Sequence, residues 1–261
     1  MSKTIGVLNF KGGTGKTTTV VNLACGLALR GERVLCVDLD SQGNLATYFG
    51  LEPDCTLTHL MLDQATVQDC IMNVQENVDL ISSDSSLLDV EGALWRLGNK
   101  QAARSVLPNK LAAVQDEYDY ILLDFSPSAS LLSESALLYT QDLMITVSMN
   151  YLSLVSTSKV IGLLKQLKRL PGSRLRRFFI LPTFYYARLR KDREIMENLN
   201  SYFSDKVVAP IRASVKLSEA ASYHQSIYTY APFSSGAKDY ARLVEKVVSH
   251  EQQQEKERVR T

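Results

Sequence analysis

The stretch Lys11-Gly12-Gly13-Thr14-Gly15-Lys16-Thr17-Thr18 decides how the rest of the chain reads. It follows the apolar run Ile5-Gly6-Val7-Leu8, which reads as a buried parallel strand. It leads into Thr19-Val20-Val21-Asn22-Leu23-Ala24, which reads as the start of a helix. Strand, glycine-rich loop and helix, in that order, are what a phosphate-binding loop requires. The glycines let the backbone curl until its N–H groups converge on an anion, and the helix N-terminus adds partial positive charge. Lys16 can then reach β- and γ-phosphates, and the Thr17 hydroxyl can hold Mg²⁺.

The general pattern G-x-x-x-x-G-K-[ST] wants glycine where this chain has Phe10, and a second lysine, Lys11, stands ahead of the glycines. K-G-G-x-G-K-T-T resembles the deviant Walker A loop of the ParA/MinD family of ATPases, the ParA (Soj)-type partition and positioning ATPases in particular. By that resemblance Lys11, Gly12, Gly13, Thr14, Gly15, Lys16, Thr17 and Thr18 hold ATP. Lys11 would reach across a dimer interface to the partner's nucleotide, so that ATP joins a homodimer. A solvated loop lysine is the plainer alternative for Lys11.

Further along, the helix over about 16–30 ends at Gly31, and Arg33–Val37 reads as a second buried strand. It runs into Asp38-Leu39-Asp40-Ser41-Gln42-Gly43-Asn44. An acid at the carboxyl end of a parallel strand, beside a phosphate loop, is placed for metal or water chemistry. The stretch resembles the family's D-x-D-P-Q-G-N motif with Ser41 in place of proline. The resemblance implies that Asp40 orients the water attacking the γ-phosphate and that Asp38 supports the Mg²⁺ shell; capping of the next helix is the structural alternative. Tyr118-Asp119-Tyr120-Ile121-Leu122-Leu123-Asp124 is an apolar strand closing on an acid, a Walker B pattern whose Asp124 would meet Mg²⁺. The family continues D-x-P-P; this chain has Asp124-Phe125-Ser126-Pro127. Thr146, Ser148 and Asn150 likewise stand where many relatives have proline, glutamine and glutamate.

Between these motifs, 45–77 reads as mixed short helices and turns, Val78–Ser82 as a strand, and about 85–97 and 101–115 as helices, with Trp95 in the core. A helix over about 131–140 and the strand Leu143–Ser148 follow. The apolar stripe Leu154, Val155, Val160, Ile161, Leu163, Leu164 and Leu167 predicts an amphipathic helix over Ser153–Leu170. Phe178–Pro182 and Val207–Pro210 read as strands, and a helix runs to about Phe203. Ala213–Ser222 resembles the family's N-V-R-L-S-E-A-P-S stretch with Lys216 for arginine. Ser234–Tyr240 matches its closing S-x-G-A-x-x-Y. In relatives this region runs near the adenine, which makes Pro182 and Pro210 candidate base neighbours.

The net charge of +1 conceals a polarised distribution. Residues 1–158 carry 9 Lys/Arg against 18 Asp/Glu, whereas 159–193 carry 11 against the single acid Asp192. Like charges crowded in that way repel unless a polyanion neutralises them. Nucleic-acid backbone, read without sequence preference, is the candidate over an acidic protein or a plain soluble face. Arg174, Arg176, Arg177, Arg188, Arg190, Lys191 and Lys216 are the candidate DNA contacts, and sequence-blind DNA binding is also what the resemblance implies.

With 261 residues, 45% hydrophobic and 22% charged, the chain suits one α/β domain. No apolar run approaches the ~20 residues of a membrane span, and the first strand begins too early for a signal peptide. Cys25, Cys36, Cys55 and Cys70 lack C-x-x-C spacing, which suits core thiols in a reducing cytoplasm better than metal ligands. The expected fold is α/β: a single P-loop NTPase domain over 1–250, its mostly parallel twisted sheet of about seven to eight strands flanked by helices on both faces. A polar, flexible tail, 251–261, follows.

The function so implied is a ParA-like cytoplasmic ATPase using ATP and Mg²⁺. In its ATP state it would be a homodimer associated with nucleoid DNA, triggered to hydrolyse by a ParB-like or other cargo-adaptor protein. A MinD-like membrane-associated ATPase is the main alternative, but the tail holds one apolar residue, Val259, and no membrane partner is expected. An iron–sulfur reductase would need interface cysteines after the Walker B region, and a metabolic P-loop kinase a lid; neither is found.

Overall fold

The computed structural model describes residues 2–150, 157, 160–162, 164–165 and 168–258, the last nine by backbone alone. β1 (Lys3–Leu8) feeds the glycine loop and α1 (Lys16–Ala28), and β2 (Val34–Leu39) follows. Two short helices, α2 (Asn44–Phe49) and α3 (Leu57–Met61), then lead to the hairpin of β3 (Ile71–Gln75) and β4 (Val78–Ile81). Helices α4 (Leu87–Arg96) and α5 (Lys100–Leu111) precede β5 (Tyr120–Phe125), and α6 (Leu131–Tyr139) precedes β6 (Asp142–Ser148). After β7 (Arg177–Thr183) come α7 (Arg190–Phe203), α8 (Val215–Ser222), α9 (Ile227–Tyr230) and α10 (Ser235–Arg258).

The sheet runs β3-β4-β2-β5-β1-β6-β7, with β3 antiparallel and every other pairing parallel. Such a sheet needs cover on both faces, and its inner strands are buried along their length and mostly apolar for that reason. Along β2, Leu35, Val37 and Leu39 face the core formed with α3–α7, while Val34 and Cys36 face the core formed with α1 and α8–α10. The central strand β1 lies between β5 and β6. This delivers the glycine loop, Asp38, Asp124 and the end of β6 to one end of the sheet.

Several features differ from expectation. The hairpin strand β3 lies in 45–77, where Asn73 and Asn77 obscured the strand pattern. Val207–Pro210 contributes one isolated bridge, Ile180 to Val207, and no full strand. Trp95 is 59% exposed; α4 turns Leu87, Val90 and Leu94 inward, and the indole falls off that face and donates to Glu91 Oε1 at 3.1 Å. Cys55 and Cys70 form a disulfide with Cα atoms 4.8 Å apart, so only Cys25 and Cys36 are the buried free thiols expected of all four. The fold brings that pair together across α3, and spacing alone held no sign of it. The helix expected over Ser153–Leu170 falls largely outside the described residues; Val160 and Leu164 within it are buried. The last helix continues through the polar end of the chain to Arg258.

Gly26 is where α1 approaches its neighbours most closely. A Cβ there would stand 2.6 Å from both the Tyr228 hydroxyl and Val244 Cγ2. Gly26→Ala is therefore expected to lose about 1–3 kcal/mol of stability, despite alanine's better helix propensity. Urea unfolding measures it, and an unchanged or raised midpoint would contradict this packing.

Candidate active site

The glycine loop is shaped by its own backbone and pinned by its neighbours. Gly13 and Gly15 have φ of 69° and 84°, the left-handed region that a side chain strains, and Gly15 caps α1. Asn9 donates to the Thr146 carbonyl at 2.6 Å and accepts from the Lys11 amide at 3.0 Å. The Thr14 and Thr146 hydroxyls pair at 2.8 Å, and the Thr183 hydroxyl donates to the Thr14 carbonyl at 2.9 Å. The Thr146 hydroxyl thus supplies a tie between β6 and the loop.

Over the loop opens a cavity of about 630 Å³ lined by Gly12 to Thr18, Asp40, Asn44, Tyr48, Pro127, Phe184 and His224, among others. Lys16 is buried at its base; burial lowers its pKa, opposed by the charges of Asp124 and Asp40. Asp124 is 1% exposed and neither carboxylate oxygen has a hydrogen-bond partner. Burial first, then neighbouring Asp38, pushes its carboxyl well above the ordinary range, with Thr17 and Lys16 pulling it back. A buried acid with both oxygens unmatched, beside a hydroxyl and a phosphate loop, fits a divalent cation.

Asp38 is engaged differently. Its oxygens accept from the backbone N–H groups of Asp40 at 3.0 Å and Leu45 at 3.0 Å, so it holds the 40–45 turn in place. Asp40 itself is half-buried and faces the cavity, and its carbonyl takes a hydrogen bond from Ser83 just past the end of β4.

A second cavity, about 260 Å³, adjoins the first and is lined by Thr183, Phe184, Ile211, Arg212, Leu217 and Tyr240, among others. Pro182 and Pro210 each stand one residue short of this lining, and neither enters it. Phe184 lies at both cavities with a φ of 54°, a conformation uncommon for a bulky residue, beside Gly15. Its signal in the sequence was only its place just past β7. Arg212 is fixed by the buried Asp239, to which its guanidinium donates at 2.7 and 2.9 Å. Lys11 is outside both cavities: its ammonium donates to Asn150 Oδ1 at 2.8 Å, and the Asn150 amide donates to Ser148 Oγ at 2.9 Å.

The family model described as an AAA domain matches residues 2–176. The chain is 32% identical to the chromosome-partitioning ATPase Soj of Treponema pallidum, over 97% of this chain and 100% of that one. It is 34% identical to the sporulation initiation inhibitor protein Soj of Bacillus subtilis, over 96% and 100%. The chain belongs to the ParA/MinD family of ATPases. Its fold matches the septum site-determining protein MinD of Pyrococcus horikoshii, solved with Mg-ADP, at a TM-score of 0.79 and 25% identity over 95% of this chain and 96% of that one.

Set on this ParA/MinD fold, the candidate DNA contacts divide into two groups. Arg188, Arg190 and Lys191 lie just past the carboxyl end of β7, at the nucleotide end of the sheet. There Arg190 pairs with Glu194 at 2.8 Å, and Lys191 stands 3.9 Å from Asp192. Lys216 pairs with Glu219 at 2.8 Å on α8. Arg174, Arg176 and Arg177 lie at the other end, about 20 Å away along seven residues of strand. Arg177 is taken up by Asp142 at 2.8 and 3.0 Å, and Arg174 lies over the Tyr139 ring at 5.1 Å.

Burial raises the Asp38 pKa to about 7, with the Asp40 and Leu45 amides pulling back. Since this lies above the ordinary value of 3.8, folding takes up a proton between the two, and Asp38's share of stability falls as pH rises from about 4 to about 7. Carboxyl NMR titration of the metal-free protein should place Asp38 near neutrality; a midpoint near 4 would refute it.

Proposed function

We propose that this ATPase closes into a homodimer across two ATP molecules and holds DNA without reading its sequence. Hydrolysis, on stimulation by a cargo-bound partner, would open it, so that DNA or another cargo is partitioned or positioned. The observation that carries the proposal is the placement of Lys11. Its ammonium is turned away from its own loop cavity toward Asn150 at the rim, where a second copy could present its nucleotide.

In this reading the loop N–H groups of Gly12 to Thr18 and the Lys16 ammonium would hold the phosphates of ATP. Thr17 and Asp124 would hold Mg²⁺, and Asp38 would keep the 40–45 turn in register. A metal held there would neutralise phosphate charge. The Asp40 carboxylate orients water toward the γ-phosphate from the open side of the cavity, and the rigid donors of the loop receive the charge that develops. Phe184, Arg212 and Tyr240 form the wall that would receive the base, with Pro182 and Pro210 behind it. Arg188, Arg190, Lys191 and Lys216 lie at the end of the sheet where two copies would meet, so closure would gather their charge. Arg174, Arg176 and Arg177 lie too far off to join that face. Nucleoid association in the cytoplasm follows from this reading. No helix among the described residues is long and apolar enough to cross a membrane.

Sedimentation with a non-hydrolysable ATP analogue should give a dimer, and with ADP a monomer; a monomer in both refutes the proposal. Lys16→Ala is expected to abolish nucleotide binding. Asp40→Ala should keep binding and dimerisation while slowing hydrolysis by about 10²-fold or more. An Asp40 variant turning over normally would remove that residue from the chemistry.

A further inference from the structure

The far end of the sheet carries a surface that the nucleotide site does not explain. The turn from Lys168 to Arg176 folds back on the end of α6: the Arg174 amide donates to the Leu138 carbonyl at 3.0 Å and the Arg176 amide to the Gln141 carbonyl at 2.8 Å. This places Lys168, Arg169, Arg174 and Arg176 together, all exposed, with the Lys168 ammonium 3.4 Å from the Arg176 carbonyl. None of the four makes an ion pair among the described residues. At the nucleotide end Arg190, Lys191 and Lys216 each have an acid beside them, and among the described residues only Arg188 of the candidate contacts there lacks an ion pair. Asp142, the carboxylate at the start of β6, is already bound by Lys3 at 3.2 Å and by Arg177 at 2.8 Å. The exposed Asp205 sits next to Lys206, which itself lies over the Phe178 ring at the start of β7.

We propose that the Lys168–Arg176 turn is a second polyanion surface, binding the phosphates of duplex DNA whether or not nucleotide is present. It rests on the DNA-binding reading above and refines it: contact at the nucleotide end depends on closure, whereas contact at this end does not. Unpaired exposed cations are free to displace the counterions of a polyanion, which is the driving force for sequence-blind DNA binding. Their distance from the loop, about 20 Å along β7, leaves them outside any change that ATP makes at the rim. A lipid surface fits less well. Leu175 is buried, Leu170 half-buried, and no large apolar side chain of the turn is exposed for insertion between acyl chains.

The test is equilibrium binding of the full chain to a random-sequence duplex, free of nucleotide, with ADP and with a non-hydrolysable ATP analogue, each at low and high salt. Wild type should bind in all three states, more tightly with the analogue. Lys168→Glu/Arg169→Glu/Arg176→Glu should weaken nucleotide-free binding roughly tenfold or more and flatten the salt slope by about one for each phosphate no longer neutralised. Its melting temperature and basal ATP turnover should be unchanged, and Lys168→Arg/Arg169→Lys/Arg176→Lys should bind as wild type. Arg188→Glu/Arg190→Glu should lose only the increment added by the analogue. The inference is overturned if nucleotide-free wild type fails to bind at low salt, if the triple charge reversal leaves that binding intact, or if it abolishes binding to anionic phospholipid vesicles and not to DNA. Absence of any analogue-dependent increment in wild type, with nucleotide-free binding intact, would instead sink the ATP-gated reading and leave this one standing.

Discussion

The constraint on which the rest depends is electrostatic: carboxylates and one ammonium are buried together at the end of a parallel sheet. Asp38 and Asp124 are both essentially excluded from solvent, and burial raises both pKa values. The charge of Asp38 raises that of Asp124 further. Lys16 beside them is itself lowered by burial. A group of this kind is poorly satisfied alone, because burial penalises each charge and Asp124 has no hydrogen-bond donor. A dication with a polyphosphate supplies both missing signs at once. Affinity for the ligand is therefore the relief of a penalty the fold already carries, and the ties through Thr146 and Thr183 keep the loop from relaxing to escape it.

Topology is what permits that burial. With β1 between β5 and β6, the carboxyl ends of the parallel strands bring loop, Asp38 and Asp124 within reach of one another. The opposite end of the sheet must then be covered by chain returning from the helices. The turn after Leu164 is part of that cover, and a parallel strand divides any charged segment that straddles it. The block 159–193 contains β7 entire, so its two ends stand about 20 Å apart on one copy.

That division marks where the sequence was legible and where it was not. The gathering of the glycine loop, Asp40 and Asp124 at one end of the sheet was readable because each closes or follows a parallel strand as a local sequence pattern. The parallel strands were readable because burial on both faces leaves continuous apolar runs such as Tyr120–Leu123. What failed was information carried by packing across distance. Trp95 looked like core because it is large and apolar, yet its position on α4 relative to Leu87, Val90 and Leu94 turns it outward. The Cys55–Cys70 bond, the cavity wall of Phe184, Arg212 and Tyr240, and the pairing of Arg177 with Asp142 all join residues whose spacing carries no period.

The pairing of Lys11 with Asn150 sets how firmly the loop lysine is held at the rim. A carboxylate at the rim would hold the ammonium by charge, and releasing it would leave an ion partly buried without a partner. An amide oxygen offers a single hydrogen bond to a charged donor, about 1.5–3 kcal/mol at most and less where water can replace it. The amide's own N–H is engaged by Ser148, which keeps its oxygen facing the lysine. Lys11 is thus held in one direction by a bond that any phosphate reaching the rim could replace, since phosphate is a stronger acceptor for an ammonium than a neutral amide. Ser148 and Asn150 therefore act as one unit in orienting the loop lysine.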